Sequence, residues 1–145
     1  MSVPKSKRKQ SKVEFEMLIF KVCESVDRLV ETRFSADPDE LAVNQIFISS
    51  RSTNLERLTD SLIYHIKVAN SIYPKCMAEW EERRVSIGKA VGTCYAILTN
   101  LQRVMIRLRV PDNKYTEDIK NVIKMINSLK AWRKSDNRLK ATLTE

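Results

Sequence analysis

The stretch WEERRVSIGKAVGTCYAILTNLQRVMIRL, residues 80–108, decides the fold. It has one line of mainly apolar positions, spaced alternately by four and three residues: Trp80, Arg84, Ile87, Val91, Cys94, Leu98, Leu101, Met105 and Leu108. This spacing is typical of a helix that packs along a seam against other helices. Pro111-Asp112-Asn113 follows and cannot continue a helix, so the pattern predicts one helix of roughly 30 residues.

Three further long helices are predicted around this one. A broad apolar stripe marks the first, over about residues 12–34. Residues 53–56, TNLE, fit a capping box, so the second helix is expected to begin there and to end at Pro74. The fourth is expected to begin near Thr116, because the next two residues are acidic and suit the positive end of the helix dipole. Residues 35–52 are predicted to form a short helix or a loop.

Composition also favours helices. The chain of 145 residues has two glycines and four prolines, too few for the many turns of an all-β fold. Its apolar fraction of 43% suits one domain with a single core. We therefore predict an all-α protein, an antiparallel up-down-up-down four-helix bundle at residues 12–137. A flexible basic arm is predicted at residues 1–11 and a flexible tail at residues 138–145.

Basic residues outnumber acidic ones, and the formal net charge is +8. Such a charge favours an acidic partner; nucleic acid is the commonest, while an anionic membrane or an acidic protein also fits. Phosphate contacts of this kind carry little sequence readout. Tyr115 and Trp132 would add base stacking where they are exposed. The predicted contacts with nucleic acid form three clusters: Lys5, Lys7, Arg8, Lys9 and Lys12; Lys89, Arg103, Arg107 and Arg109; and Lys130, Arg133, Lys134 and Arg138.

Residue types that carry catalysis are sparse in the sequence. His65 is the one histidine and lies at the edge of an apolar stripe, and Cys23, Cys76 and Cys94 form no CxxC pair. The sequence has no glycine-rich phosphate loop and no nucleophile elbow. We therefore predict a non-enzyme that uses no metal or other cofactor. The cysteines favour a reducing compartment, and the sequence has neither a run of about 18 apolar residues nor a signal-peptide apolar core. We therefore expect a cytoplasmic location, with no membrane partner and no small-molecule substrate.

Gly88, Gly92, Ala96 and Thr99 form a strip of small residues on another side of the third predicted helix. Glycine inside a helix costs up to about 1 kcal/mol relative to alanine, so the two glycines require a reason. Close approach of another helix supplies one. That helix belongs either to the same bundle or to another subunit, and the sequence leaves both alternatives open.

Three stretches resemble a known family: SVPKSKRKQSKVE at residues 2–14, ANSIYP at residues 69–74 and KAWRKSDNRLK at residues 130–140. With the four-helix pattern, they resemble the accessory variability determinant proteins of diversity-generating retroelements. These are similar to the four-helix-bundle proteins encoded in ribosomal RNA intervening sequences. Residues 35–52 depart from the family pattern, in which the first helix connects more directly to the second.

The resemblance implies a function as well as a fold. It implies a basic homopentamer that binds the element's reverse transcriptase and template RNA and supports mutagenic cDNA synthesis, with the chemistry left to the polymerase. The alternative is a basic helical interaction module that binds an acidic protein without nucleic acid. An enzyme would need carboxylates or His65 to converge in a pocket.

Overall fold

The computed structural model describes the backbone of residues 5–143 and the side chains of residues 14–143. All the regular structure in this range is helical, so the predicted all-α class is confirmed. None of these helices has an apolar stretch long enough to cross a bilayer. The elements are, in chain order, α1 (Lys5–Glu31), a 3₁₀ turn (Arg33–Ser35), α2 (Pro38–Val43), α3 (Gln45–Ser71), α4 (Met77–Arg107) and α5 (Thr116–Lys140).

The four long helices α1, α3, α4 and α5 enclose one apolar core. α3 packs against α4, α4 against α5, and α1 against both α5 and α3. Burial of large apolar side chains is the main favourable contribution to such a fold, about 1.5–3 kcal/mol for each one. Fully buried examples come from every long helix: Val22, Val26, Leu55, Leu62, Ile87, Leu101, Met125 and Leu129.

The buried face of α4 is broader than the predicted seam. Six seam positions are buried, whereas Arg84, Leu98 and Met105 are half-buried. A second line at seven-residue spacing, Ala90, Ile97 and Val104, is fully buried as well. The reason is that α4 packs against both α3 and α5, so its apolar stripe must face two neighbours.

The predicted start of the second long helix was wrong. α3 begins at Gln45, so residues 53–56 lie inside it and do not form its cap. The backbone N–H of Ile48 already donates to the carbonyl of Asn44, at 2.9 Å. Ile48 and Leu55 are both buried and lie two turns apart on the same face, so packing extends the helix towards its N-terminus. The short helix predicted in this region is α2, which Asp37 caps by accepting from the N–H of Glu40.

The outer boundaries of the bundle also differ from those predicted. α1 begins at Lys5 rather than near residue 12, and α5 extends to Lys140 rather than to residue 137. Lys, Arg and Gln have high helix propensity, and residues 5–12 contain no Gly or Pro. The flexibility of the two ends stays a prediction, and residues 1–4 and 144–145 lie outside the described residues.

A strained turn connects α1 to α2. Arg33, Phe34 and Ser35 have φ angles of 51°, 60° and 53°, in the left-handed region. This conformation costs roughly 1–2 kcal/mol for each non-glycine residue, so other contacts must hold it. Phe34 is completely buried, and the hydroxyl of Tyr115 donates to its carbonyl at 2.6 Å. Lys114 Nζ donates to the carbonyl of Ser35 at 2.8 Å, so the α4–α5 connection holds the turn in place.

Replacing Tyr115 with Phe should destabilise the protein, because it leaves the buried carbonyl of Phe34 without this donor. We expect the free energy of unfolding, measured by urea denaturation, to fall by about 1–2 kcal/mol. Tyr73→Phe is the matched control, since Tyr73 is 77% exposed. Equal stability of the Tyr115→Phe and Tyr73→Phe proteins would contradict the role given to this hydrogen bond.

Candidate nucleic-acid interface

The predicted cations on α4 do not form a single cluster. Lys89 is exposed beside His65, whereas Arg103 and Arg107 are exposed one turn apart near the end of the helix. The separation between Lys89 and Arg103 is about 20 Å along the helix axis. Arg109 follows the helix with φ 50° and an exposed side chain, and its left-handed backbone lets Val110 N–H donate to the carbonyl of Met105.

The cations on α5 differ in their surroundings. Lys130 Nζ donates to the hydroxyl of Tyr95 at 2.8 Å and lies 5.3 Å from the centre of its ring. Arg133 is half-buried, while Lys134 and Arg138 are exposed. Lys130 therefore helps to attach α5 to α4, and the other three are the α5 cations left for an outside partner. The side chains of Lys5, Lys7, Arg8, Lys9 and Lys12 lie outside the described residues.

Ion pairs neutralise few of these charges. Among the side chains of residues 14–143 two ion pairs form, Arg83 with Asp136 and Lys120 with Glu117. Neither pair includes a predicted nucleic-acid contact. Ion pairs among the described residues therefore do not neutralise the exposed cations of α4 and α5, and clustered charges of one sign attract polyanions.

The sequence patterns did not identify Phe47 and Arg51, which lie beside Arg103 and Arg107 in the structure. The guanidinium carbons of Arg51, Arg103 and Arg107 lie 5.9, 5.9 and 5.1 Å from the centre of the Phe47 ring. Phe47 and Arg51 are four residues apart on α3, as Arg103 and Arg107 are on α4, so each pair lies on one face. The spacing was visible in the sequence, but residues 35–52 were predicted to form only a short helix or a loop, and the early start of α3 was not predicted.

Asn100 holds Arg51 in this position. Asn100 is buried on α4, and its side-chain oxygen accepts from Arg51 Nη1 at 2.7 Å and from Asn54 Nδ2 at 3.0 Å. Its own Nδ2 donates to the carbonyl of Ala96 at 2.8 Å. A buried amide with these partners fixes the register of α3 on α4 and aims the Arg51 side chain at Phe47.

A second arginine site lies where α4 begins and α5 ends. Arg83 makes a two-pronged contact with Asp136: Nη2 donates to Oδ1 at 2.8 Å, and Nε lies 2.8 Å from Oδ2. Its Nη1 donates to the carbonyl of Ile72 at 3.1 Å, and its guanidinium lies 5.1 Å from the ring centre of Trp132. Trp80 Nε1 donates to the backbone carbonyl of Asp136 at 2.8 Å. Burial raises the pKa of the Asp136 carboxyl, and the Arg83 charge opposes that rise.

Two of the three stretches that carry the family resemblance therefore meet at Arg83. Residues 69–74 contribute Ile72, and residues 130–140 contribute Trp132 and Asp136. Their role here is structural, because these residues join the ends of three helices. Trp132 is half-buried, with its ring 5.7 Å from that of Phe15, and Tyr115 is buried. The condition for base stacking, an exposed ring, is therefore not met by Tyr115.

The strip of small residues has no helix against it within the described part of the chain. A Cβ atom at Gly88 or Gly92 would have no neighbouring atom within 4 Å. Among the described residues no other helix of the bundle approaches these glycines, so for that part of the chain the alternative within one bundle is wrong. The alternative in which a helix of another subunit approaches them stays a prediction.

Burial favours the neutral forms of two cysteine thiols and of His65. Burial is the main cause that raises the pKa of Cys23 to about 11, with Asp27 and Asp60 adding to it. Burial likewise raises the pKa of Cys94 to about 12. Burial and the charge of Lys89 lower the pKa of His65. Residues 14–143 contain no group of three or more His, Cys, Asp or Glu side chains that could hold a metal ion.

Comparisons of the chain with protein-family models, with curated proteins and with solved structures found no match.

Replacing Asp136 with Asn should destabilise the bundle, because it leaves the half-buried Arg83 charge without its counter-ion. We expect the free energy of unfolding at pH 7 to fall by about 2–4 kcal/mol in urea denaturation. Glu117→Gln is the matched control: it removes an ion pair in which both side chains are more than half exposed, and should change stability by less than about 0.5 kcal/mol. If both variants lose a similar free energy of unfolding, the contact between Arg83 and Asp136 stabilises the fold no more than an exposed ion pair does.

The cysteines should differ in reactivity, because the thiolate is the reactive form and Cys23 and Cys94 stay protonated at pH 8. In the folded protein we expect a thiol reagent such as DTNB to modify Cys76 first. All three should react in denaturant. Tryptic mass spectrometry after a brief alkylation identifies the modified residue, and alkylation of Cys94 as fast as Cys76 would contradict this order.

Proposed function

We propose that the chain is a non-catalytic accessory protein of a diversity-generating retroelement, acting in the cytoplasm. It binds the element's reverse transcriptase and template RNA and supports mutagenic cDNA synthesis. The observation that carries the proposal is the set of exposed cations on α4 and α5 that have no ion pair among the described residues. We take the template RNA and the reverse transcriptase as the partners because three stretches of the chain resemble accessory variability determinant proteins.

We infer the up-down-up-down order of the four long helices from contacts between their ends. In an antiparallel pair, the beginning of one helix lies beside the end of the next. Three hydrogen bonds have this arrangement and support the proposed topology: Asn54 to Asn100, Trp80 to Asp136, and Asn121 to Ser25.

The proposed mechanism is neutralisation of RNA phosphates with release of counter-ions. The side chains of Arg133, Lys134 and Arg138 on α5 contact the phosphates of the RNA, and Arg103 and Arg107 on α4 are left for the contact with the polymerase. Each phosphate contact adds about 0.7–0.9 to the slope of affinity against salt on logarithmic axes. Because these contacts reach phosphates rather than base edges, RNA is bound with little sequence readout, and the polymerase performs the chemistry.

We further propose that the chain assembles as a homopentamer. The number of five subunits is taken from the resemblance to accessory variability determinant proteins. The open strip at Gly88 and Gly92 supports a contact between helices of different subunits, because backbone there lies free of neighbours within the described chain.

RNA binding is tested with a fluorescent single-stranded RNA over a range of salt concentrations. The triple variant Arg133→Gln, Lys134→Gln and Arg138→Gln should bind more weakly than the wild type, with a slope shallower by about 2. The control variant Lys67→Gln, Lys75→Gln and Lys120→Gln removes the same charge from other exposed positions and should keep most of the affinity.

Light scattering on the same proteins should give a pentamer for all three. A wild-type monomer with no RNA binding at low salt would refute the proposal. Equal losses in the two triple variants would show that net charge, rather than the α5 surface, binds the RNA. If RNA does not bind and heparin fails to displace an acidic protein partner, the chain is the interaction module instead.

A further inference from the structure

One corner of the bundle combines arginines with exposed aliphatic side chains. The end of α2, the first two turns of α3 and the last turns of α4 surround a shallow hollow of about 530 Å³ there. We call this hollow the arginine corner; the lining residues used here are Val43, Ile46, Phe47, Arg51, Arg103 and Arg107. Val43 is 83% exposed and Ile46 is 87% exposed.

The arginine corner has an excess of positive charge. Its three guanidinium groups gather around one phenylalanine ring, and none of them has an ion pair among residues 14–143. The residues that line the hollow include no carboxylate. Glu40 lies beside it, and its carboxylate already accepts from the side-chain amide of Asn44 at 2.8 Å. The excess positive charge of the arginine corner therefore favours an anionic partner.

The three guanidinium groups of the arginine corner differ in how far their N–H donors are available to a partner. Arg103 and Arg107 are exposed, so their donors are available to a partner. Arg51 is half-buried; Nη1 and Nη2 donate to Asn100 and Ser50, while its Nε is buried without a hydrogen-bond partner in the described structure. Arg51 is therefore engaged within the protein, whereas the two α4 arginines are free to contact a partner. The paired N–H donors of one guanidinium group suit the paired oxygens of a carboxylate.

The aliphatic side chains distinguish a protein partner from RNA. Protein–nucleic acid interfaces are strongly polar and charged, and they offer little that would bury Val43 and Ile46. Protein–protein interfaces have an apolar centre, and arginine and aromatic residues are enriched in them. Ile106, 80% exposed and three residues after Arg103 on α4, enlarges the apolar surface beside the hollow. The combination is that of a docking site for a protein segment.

We propose that the arginine corner docks a segment of a partner protein that carries carboxylates next to large apolar side chains. The apolar side chains cover Val43 and Ile46, and the carboxylates pair with Arg103 and Arg107. This inference deepens the proposed function, on which it rests for the presence of a protein partner, the reverse transcriptase. It separates the protein contact at this corner from the RNA contact on α5.

The experiment uses the full chain and three fluorescein-labelled helical model peptides of about 16 residues. The first peptide carries Glu on one side and Leu on the other; the second has Ser in place of Leu; the third has Gln in place of Glu. Measured by fluorescence anisotropy near physiological salt, the wild type should bind the first peptide at least about tenfold tighter than either of the others, because both kinds of contact contribute.

Two pairs of substitutions test the residues. The variants Val43→Ser with Ile46→Ser, and Arg103→Gln with Arg107→Gln, should each lose about tenfold or more in affinity for the first peptide. The matched control is Phe20→Ser with Arg28→Gln, which changes an exposed aromatic and an exposed arginine at a hollow on α1. It should bind the first peptide as the wild type does. Circular dichroism and urea unfolding confirm that each variant is folded.

Unchanged peptide binding in the Val43→Ser, Ile46→Ser variant would overturn the proposal, as would equal affinity for the Leu and Ser peptides. A uridine 20-mer and vesicles containing phosphatidylglycerol are the competing probes. If the Val43→Ser, Ile46→Ser variant loses as much affinity for either of them as for the first peptide, the corner binds RNA or membrane and the proposal fails. Peptide binding without any RNA binding by the wild type would refute the proposed function and leave the docking site standing.

Discussion

The contact between Arg83 and Asp136 is the constraint on which one end of the bundle depends. The two side chains are 15% and 7% exposed, and removing such charges from water is costly unless the charges are paired. The contacts of this pair join three helices, because Arg83 of α4 reaches the carbonyl of Ile72 after α3 and the carboxylate of Asp136 on α5. If α4 shifted along α5, the buried charge of Arg83 or of Asp136 would lose its partner.

The opposite end of the bundle is held by a neutral hydrogen bond. The strained turn after α1 places the carbonyl of Phe34 in the core, where the hydroxyl of Tyr115 donates to it. Burial raises the pKa of that hydroxyl to about 12, so it remains a donor throughout the neutral range. Between these ends, Asn100 connects α3 to α4. The polar contacts are few, and each sets the position of one helix on its neighbour, which apolar packing alone specifies less sharply.

These constraints also arrange the surface. Because α3 begins as early as Gln45, Phe47 and Arg51 lie on a helix beside the end of α4, where Arg103 and Arg107 can gather around the same ring. The cations of α5 lie on a different helix and keep their charge for a polyanion. One small chain thereby offers two cationic surfaces of different character, one with aliphatic neighbours and one without. The proposed accessory function, which requires contact with both a polymerase and its RNA, would use both surfaces.

Local sequence was enough to determine the helical class, the extent of α4 and the start of α5 at Thr116, because apolar spacing and prolines act within a few turns of the chain. It also gave the positions of the cations, since charge is a property of the residue type, but not which of them are exposed. Only the tertiary structure decided that α3 begins before its apparent capping box, that Tyr115 is buried, and that Arg51 joins the α4 arginines. Each of these depends on a contact between distant parts of the chain, such as Arg51 with Asn100 or Tyr115 with Phe34. Such contacts are selected by the packing of whole helices, and no local pattern encodes them.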